Sequence, residues 1–194
     1  MKFYCLFLLL CTSALFAEPS QKSIGYVAIK PAYFFPQDST FKHLYKGGCA
    51  ALGEIGFYCS SKFFFSLEGA YFHKKKEIQS FDIASRSSIT QGPLSLTAGY
   101  IHSLYCFWDI YGKIGPNGIY TKTKISIPNI PSEKTKYTPG FTVAAGTKFY
   151  FKYGLFTEVF CNYLYNRKKI HDNRDSFVVY LGGVQLGASL GFRY

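Results

Sequence analysis

Charged residues make up only 17% of this 194-residue sequence, Met and Trp occur once each, and acid is scarcer than base, with 11 Asp+Glu against 22 Lys+Arg. Low charge beside 48% hydrophobic residues excludes a disordered chain, because there is ample apolar surface to offset the entropy of ordering. The formal net charge of +11 favours anionic partners: phosphorylated lipid, polyanionic sugar or nucleic acid. Beyond residue 17 no apolar stripe at helical spacing runs longer than about two turns, so a helical core is not expected. A P-loop, a dinucleotide Gly motif and an HExxH pattern are all missing, which removes the nucleotide and zinc-protease classes they would mark. No cofactor or metal is expected.

The N-terminus sets the compartment. Met1-Lys2 precedes an apolar run from Phe3 to Phe16, broken by Thr12 and Ser13 and closed by Ala17. A positive start, a core of about 14 residues and a small residue at the cut describe a secretory signal over 1–17, whereas a spanning helix needs roughly 20 residues. Leu8-Leu9-Leu10-Cys11 lacks the small residue that a lipoprotein box places before its cysteine. What remains, 18–194, is sized for one domain. Export removes Cys5 and Cys11 and carries Cys49, Cys59, Cys106 and Cys161 into an oxidising compartment. They are too few for a disulfide scaffold and lack zinc-knuckle spacing, which leaves unpaired packing, a Cys59–Cys106 bridge or cross-links between molecules.

Against these absences stand 20 Phe, 17 Tyr and 18 Gly, a composition suited to pleated sheet and an all-β class. Alternation of period two recurs along the chain and predicts strands near 23–35, 48–58, 63–73, 92–101, 108–119, 138–150, 155–165 and 179–194. Connections 36–47, 74–91, 120–137 and 166–178 are long, polar and basic, while 59–62, 102–107 and 151–154 are short. An even-numbered meander with one short-loop end and one long-loop end predicts an eight-stranded antiparallel up-and-down β-barrel. Its strands are long enough to cross a bilayer at a tilt, which makes it a transmembrane β-barrel.

One face of the strands is apolar with aromatics near the ends: Val27, Ile29, Tyr33 and Phe35; Ile55 and Phe57; Phe63, Phe65, Leu67 and Tyr71; Phe141, Val143 and Phe149. That face is assigned to lipid, and the opposite face, rich in Gly, Ala and Ser, to a crowded interior. The interior set also holds Lys30, Glu54, Glu68, Lys113, Lys148, Glu158 and Arg193. Counting along the strands predicts two ionic layers: Lys30, Glu54, Glu68 and Lys113 at mid-height, and Lys148, Glu158 and Arg193 near the short turns. Such a network plugs and rigidifies the barrel. Pro31 and Pro116 each remove a ladder donor and predict a bulge or an early strand end.

These features resemble the small eight-stranded outer-membrane β-barrels of double-membraned bacteria, the group of the OmpA transmembrane domain and the OmpX- and OmpW-like proteins. The resemblance spans 23–194 and is sharpest in the last strand, where Leu186, Ala188, Leu190, Phe192 and Tyr194 alternate up to a terminal aromatic. In that family Leu190, Phe192 and Tyr194 correspond to the signal read by the outer-membrane assembly machinery. The resemblance implies an outer-membrane location; a monomer is expected, and, as a departure from the OmpA pattern, no C-terminal peptidoglycan-binding domain is expected because the sequence stops with the barrel.

Barrels of this size include lipid A acyltransferases and deacylases, so His43 beside Asp38 and Ser39, and His171 beside Asp172, Asp175 and Ser176, are candidates for an outer-surface site. His102-Ser103 lies at the short-turn end and lacks the His-x-Ser spacing. The stronger signal is basic. Lys74-Lys75-Lys76 and Arg167-Lys168-Lys169 follow strands at the long-loop end, at the level of lipid phosphates. They point to binding of lipopolysaccharide phosphates or of host polyanionic sugar. Nucleic acid is disfavoured because the aromatics lie in the strands and not among the basic loop residues. The expected function is therefore a structural or adhesive surface protein without catalysis. A narrow pore or carrier for small hydrophobic compounds and a lipid A modifying enzyme stand as alternatives.

Overall fold

The computed structural model describes residues 24–39, 42, 46–80, 83–127, 130–171 and 176–194, with side chains outside 77–86, 125–133 and 168–179. The predicted signal at 1–17 and His43 lie outside the described residues. The strands are β1 (Gly25–Pro36), β2 (Gly48–Tyr58), β3 (Phe63–Ser80), β4 (Ile83–Tyr105), β5 (Trp108–Ile127), β6 (Ile130–Tyr150), β7 (Leu155–Tyr165), β8 (Arg167–His171), β9 (Ser176–Tyr180) and β10 (Gly183–Arg193). Eight of them close an antiparallel barrel in the order β1-β10-β7-β6-β5-β4-β3-β2, and β8 and β9 pair as a separate hairpin. Closure joins the first strand to the last: Ile29 faces Leu190, Val27 faces Phe192, and Tyr194 exchanges main-chain hydrogen bonds with Ile24 and Gly25. No sheet edge is left in the barrel wall.

The alternation read from the sequence separates outside from inside. Ile29 is 75% exposed and Leu67 47%, whereas their neighbours Lys30 and Glu68 are 0% and 4% exposed. The shorter staves β2, β7 and β10 have 11 residues each. At about 3.3 Å per residue and a tilt of about 40°, each rises about 28 Å, which matches an apolar band of about 25 Å.

Two expectations change. Within segments 74–91 and 120–137 the described residues, 74–80, 83–91, 120–127 and 130–137, are not loops but continuations of the staves. Strands β3 and β4 pair up to Ser80 and Ile83, β5 and β6 up to Ile127 and Ile130, and β4 pairs with β5 as far as Arg86 and Ser126. Their composition is basic, yet Thr121, Thr123 and Ile125 keep β-branched residues at alternate positions, and backbone pairing is indifferent to the charge of side chains that stand clear of it. The segment 166–178 likewise contains the β8–β9 hairpin. The prolines cause neither a bulge nor a strand end. Register with β10 is the same before and after Pro31, and register with β4 is the same on both sides of Pro116. Each proline opens a short gap in the ladder on one side while its strand continues paired on the other.

The inward face carries the Gly, Ala and Ser read from the sequence, among them Ala28, Ala32, Ala50, Ser66 and Gly99, and large rings packed beside them. Rings from Tyr26, Phe64, Tyr111, Tyr150 and Phe156 form one cluster near the short turns, and Phe34, Phe72, Leu52, Ile89, Phe160 and Leu164 form another toward the long hairpins. Glycines make room for these rings. A Cβ on Gly56 would fall 2.1 Å from the Tyr26 ring, and one on Gly99 2.3 Å from that of Phe64.

Candidate functional site

Between the two aromatic clusters lies one ionic layer. Lys30 Nζ donates to Glu54 Oε2 at 2.5 Å, Glu158 Oε1 at 3.0 Å and Glu68 Oε2 at 3.1 Å, which uses all three ammonium protons. Lys113 Nζ donates to Glu54 Oε1 at 2.7 Å and Glu68 Oε2 at 3.1 Å. Neutral donors reach the same carboxylates. The Tyr26 hydroxyl bonds Glu54 Oε1 at 2.7 Å, Asn162 Nδ2 bonds Glu68 Oε1 at 2.7 Å, and Ser189 Oγ bonds Glu158 Oε2 at 3.2 Å. Tyr111 also donates to Glu158. Every oxygen of the three carboxylates thus accepts at least one hydrogen bond, the condition under which buried charge is tolerated.

The expected second layer does not form as an ion-pair network. Glu158, placed by sequence near the short turns, joins Lys30 instead. Lys148 Nζ is buried without a hydrogen-bond partner among the described residues. It sits among rings, 3.7 Å from the centroid of Tyr26, 5.1 Å from Phe156, 5.2 Å from Tyr111 and 5.4 Å from Phe64. Those quadrupoles face the ammonium directly, while its cross-strand neighbour Glu158 acts on it as a nearby charge without a hydrogen bond. Arg193 stacks its guanidinium 3.8 Å from the Tyr150 centroid. The aromatic residues of this cage were invisible as a site because each, taken alone in its strand, reads as ordinary core.

Above the layer, Asn166 Nδ2 bonds Asn117 Oδ1 at 2.6 Å, Asn117 Nδ2 bonds Thr142 Oγ1 at 2.7 Å, and Thr142 meets Ser95 Oγ at 3.0 Å. The apolar cluster of Phe34, Phe72 and Phe160 lies in the same upper half. Side-chain layers cross the described interior from the aromatic cluster of Tyr26, Phe64 and Phe156 to that of Phe34 and Phe72, and below them the short-turn end opens into a space of about 980 Å³.

Beyond the barrel, β3 to β6 continue as one four-stranded sheet, and its register sorts the lysines by face. The run Lys74-Lys75-Lys76 is split by the pleat. Lys74 and Lys76 continue the inward face of Phe72 and are half-buried, while Lys75 continues the outward face of Tyr71 and is exposed. Lys74 pairs with Ile89, Ile89 with Thr123 and Thr123 with Lys134, so the two lysines end one row; one row closer to the barrel, Thr121 pairs with Lys136. Three strand spacings set the row ends about 14 Å apart. On the outward face, Lys75 pairs with Ser88 and Ser88 with Lys124, while Thr90 pairs with Lys122. These stand directly above the exposed rings of Tyr71, Tyr120 and Tyr137.

Of the second basic run, Arg167 is exposed at the start of β8, and the side chains of Lys168 and Lys169 lie outside the described residues. His171 is in β8 with its side chain likewise outside them, Asp172 and Asp175 are among the residues not described, and His102 and Ser103 are exposed near the end of β4. Among the described residues no group of three His, Cys, Asp or Glu side chains gathers as for a metal ion. The four cysteines among the described residues, Cys49, Cys59, Cys106 and Cys161, are free and exposed, so the Cys59–Cys106 bridge is not made. Cys49 and Cys161 lie on the outward wall, and Cys59 and Cys106 lie at short turns. Leu190, Phe192 and Tyr194 point outward on the closing strand and are exposed.

No protein-family model and no curated protein sequence matches the chain. Solved structures do. The N-terminal β-barrel domain of Pseudomonas aeruginosa OprF is 15% identical, with 90% of this chain and 100% of that one covered and a TM-score of 0.55. Neisserial surface protein A is 13% identical over 89% and 98% of the two chains, with a TM-score of 0.56. Ail, the attachment invasion locus protein of Yersinia pestis, solved in complex with the heparin analogue sucrose octasulfate, is 14% identical over 87% and 99%, with a TM-score of 0.53. With a closed barrel of eight antiparallel staves and these structural neighbours, the chain has the fold of the small eight-stranded outer-membrane β-barrels.

Proposed function

We propose that this protein is a monomeric surface barrel of the outer membrane, exported by its N-terminal signal and inserted through the closing-strand signal Leu190, Phe192 and Tyr194, whose hairpin sheet binds polyanions without catalysis. The observation that carries the reading is the sorting of lysines by sheet face. Outward Lys75, Lys122 and Lys124, above a belt of exposed tyrosines, stand where the phosphates of lipopolysaccharide meet a membrane barrel, and each cation near such a surface contributes about 1 kcal/mol. Lys74, Lys76, Lys134 and Lys136, on the other face and turned from lipid, suit a linear sulfated or phosphorylated sugar arriving from outside. Arg167, Lys168 and Lys169 extend the basic surface on the neighbouring hairpin. The sucrose octasulfate bound to Ail supports this chemistry for the fold, and the filled interior favours a closed barrel over a pore or hydrophobic carrier.

The test compares two charge-neutralised proteins refolded in micelles, one with Lys74, Lys76, Lys134 and Lys136 changed to Gln and one with Lys75, Lys122 and Lys124 changed to Gln. The first is expected to elute from heparin beads at much lower salt with lipopolysaccharide binding retained, and the second to show the converse. Equal losses on both ligands in both variants would refute the division of faces. Unchanged retention would refute polyanion binding itself.

A further inference from the structure

A histidine stands among the outward lysines and has no part in the ionic layer. His73 is exposed on β3, between Tyr71 below it and Lys75 above it on the outward face. The ladder carries its row across the sheet: His73 pairs with Thr90, Thr90 with Lys122 and Lys122 with Thr135. This row lies one step above the belt of Tyr71, Tyr120 and Tyr137 and one step below Lys75 and Lys124. Two contacts hold the imidazole. Its ring lies nearly parallel to that of Tyr71, with 6.5 Å between centroids and 16° between planes, and Nδ1 is 2.9 Å from Thr90 Oγ1. Nδ1 therefore faces β4, and Nε2, across the ring, is left without a partner among the described residues. Lys75 is two residues along the strand, about 7 Å, and Lys122 is two strands across, about 10 Å, distances that flexible lysine stems can close.

Among the described side chains the charges around His73 are all positive. From β2, the register that pairs Ala50 with Phe72 brings the exposed thiol of Cys49 next to it, and Lys46 is exposed at the corner before β2. Ser88 and Thr90 come from β4, Tyr120, Lys122 and Lys124 from β5, and Thr135 from β6. The acidic positions of β3 and β6 are further out along the hairpins, where Glu77 pairs with Arg86 and Glu133 with Lys124. A protonated imidazole is repelled by its lysine neighbours when no anion is present and favoured when one bridges them, so proton and anion are taken up together. Nε2–H supplies a directed donor, Lys75 and Lys122 supply charge, and a tetrahedral phosphate has oxygens for all three. We infer that His73, Lys75 and Lys122, with Thr90 positioning the ring, form a site for a lipid-borne phosphate group. Its hold strengthens as the imidazole takes up a proton between about pH 8 and pH 5, the range in which histidine changes charge. The site rests on the reading of the outward lysines as phosphate ligands.

The test measures binding of the protein, refolded in zwitterionic micelles, to lipid A-coated beads at one ionic strength and at about pH 7.5 and about pH 5.5. A phosphate monoester changes charge over the same interval. The ratio of half-saturating concentrations, higher pH over lower, is therefore compared with that of His73→Gln, which keeps the ligand's titration and lacks the imidazole's. The parent's ratio is expected to be about threefold to fivefold the larger, the effect of one added cation at an anionic surface. His73→Lys, a fixed cation, is expected to show the His73→Gln ratio while binding more tightly than the parent at the higher pH. Retention on heparin beads at one pH, which reports the other face of the sheet, should be the same in all three and controls for folding. Inorganic phosphate in excess should displace little of the protein; complete displacement would overturn the assignment to a lipid-borne group in favour of free phosphate. Equal ratios in parent and His73→Gln would overturn the role of His73, and loss of lipid A binding on changing Lys75, Lys122 and Lys124 to Gln would then leave the lysine reading standing without it. Full binding by that lysine variant would overturn both.

Discussion

Lysine occupies two opposite environments in this molecule. Inside the barrel, Lys30 and Lys113 are nearly inaccessible and each is bonded to carboxylates at 2.5–3.1 Å. On the hairpin sheet, Lys75, Lys134 and Lys136 are exposed. The difference is one of partners. An interior ammonium exists only because glutamates from other strands meet it, so its energy is tied to the fold, whereas a surface ammonium keeps its water and is available to a ligand. Lys148 lies between these cases, buried as deeply as Lys30, with rings against its ammonium and Glu158 beside it but not hydrogen-bonded.

Glu54→Gln takes a carboxylate from both Lys30 and Lys113 and should cost about 3–5 kcal/mol, read as a lowered urea midpoint in micelles. Lys30→Met should be of the same order, because it leaves three carboxylates crowded without their shared cation. Lys148→Met should cost at most about 2 kcal/mol, since it gives up ring contacts and also the burial of a charge. A Lys148→Met cost equal to that of Lys30→Met would mean that the aromatic cage supports the barrel as strongly as the ionic layer does. Gly99→Ala drives a methyl against the Phe64 ring and should cost about 1–3 kcal/mol, while Gly53→Ala, with nothing within 4 Å of its Cβ, should be close to neutral. Neutralising Lys75, Lys134 and Lys136 together should move stability by less than about 0.5 kcal/mol per site while lowering polyanion retention.

Much of the barrel was legible because a period-two pattern carries the strand, its face and its neighbour together. The outward series Val27, Ile29, Tyr33 and Phe35 and the inward Lys30, Glu54 and Glu68 follow from counting alone. Height was less legible than face. Strand tilt and stagger shift residues of distant strands against one another, and this brought Glu158 into contact with Lys30 although sequence counting set them a layer apart. The aromatic cage around Lys148 was illegible because its rings come from separate strands and have no local signature. The length of β3 to β6 was missed for another reason: basic composition masks a backbone pairing that charge does not prevent. On the hairpins, reading Lys74-Lys75-Lys76 as one patch overlooked the pleat that sends its middle member to the other side.

We propose that the ionic layer is a structural support of the barrel and not a path for ions. Single-channel recording of Glu54→Gln in a planar lipid bilayer tests it most directly. A closed, silent barrel, as silent as the parent although less stable, is the expected result; a steady conductance that appears in the variant at undiminished stability would mean that the glutamates gate a channel.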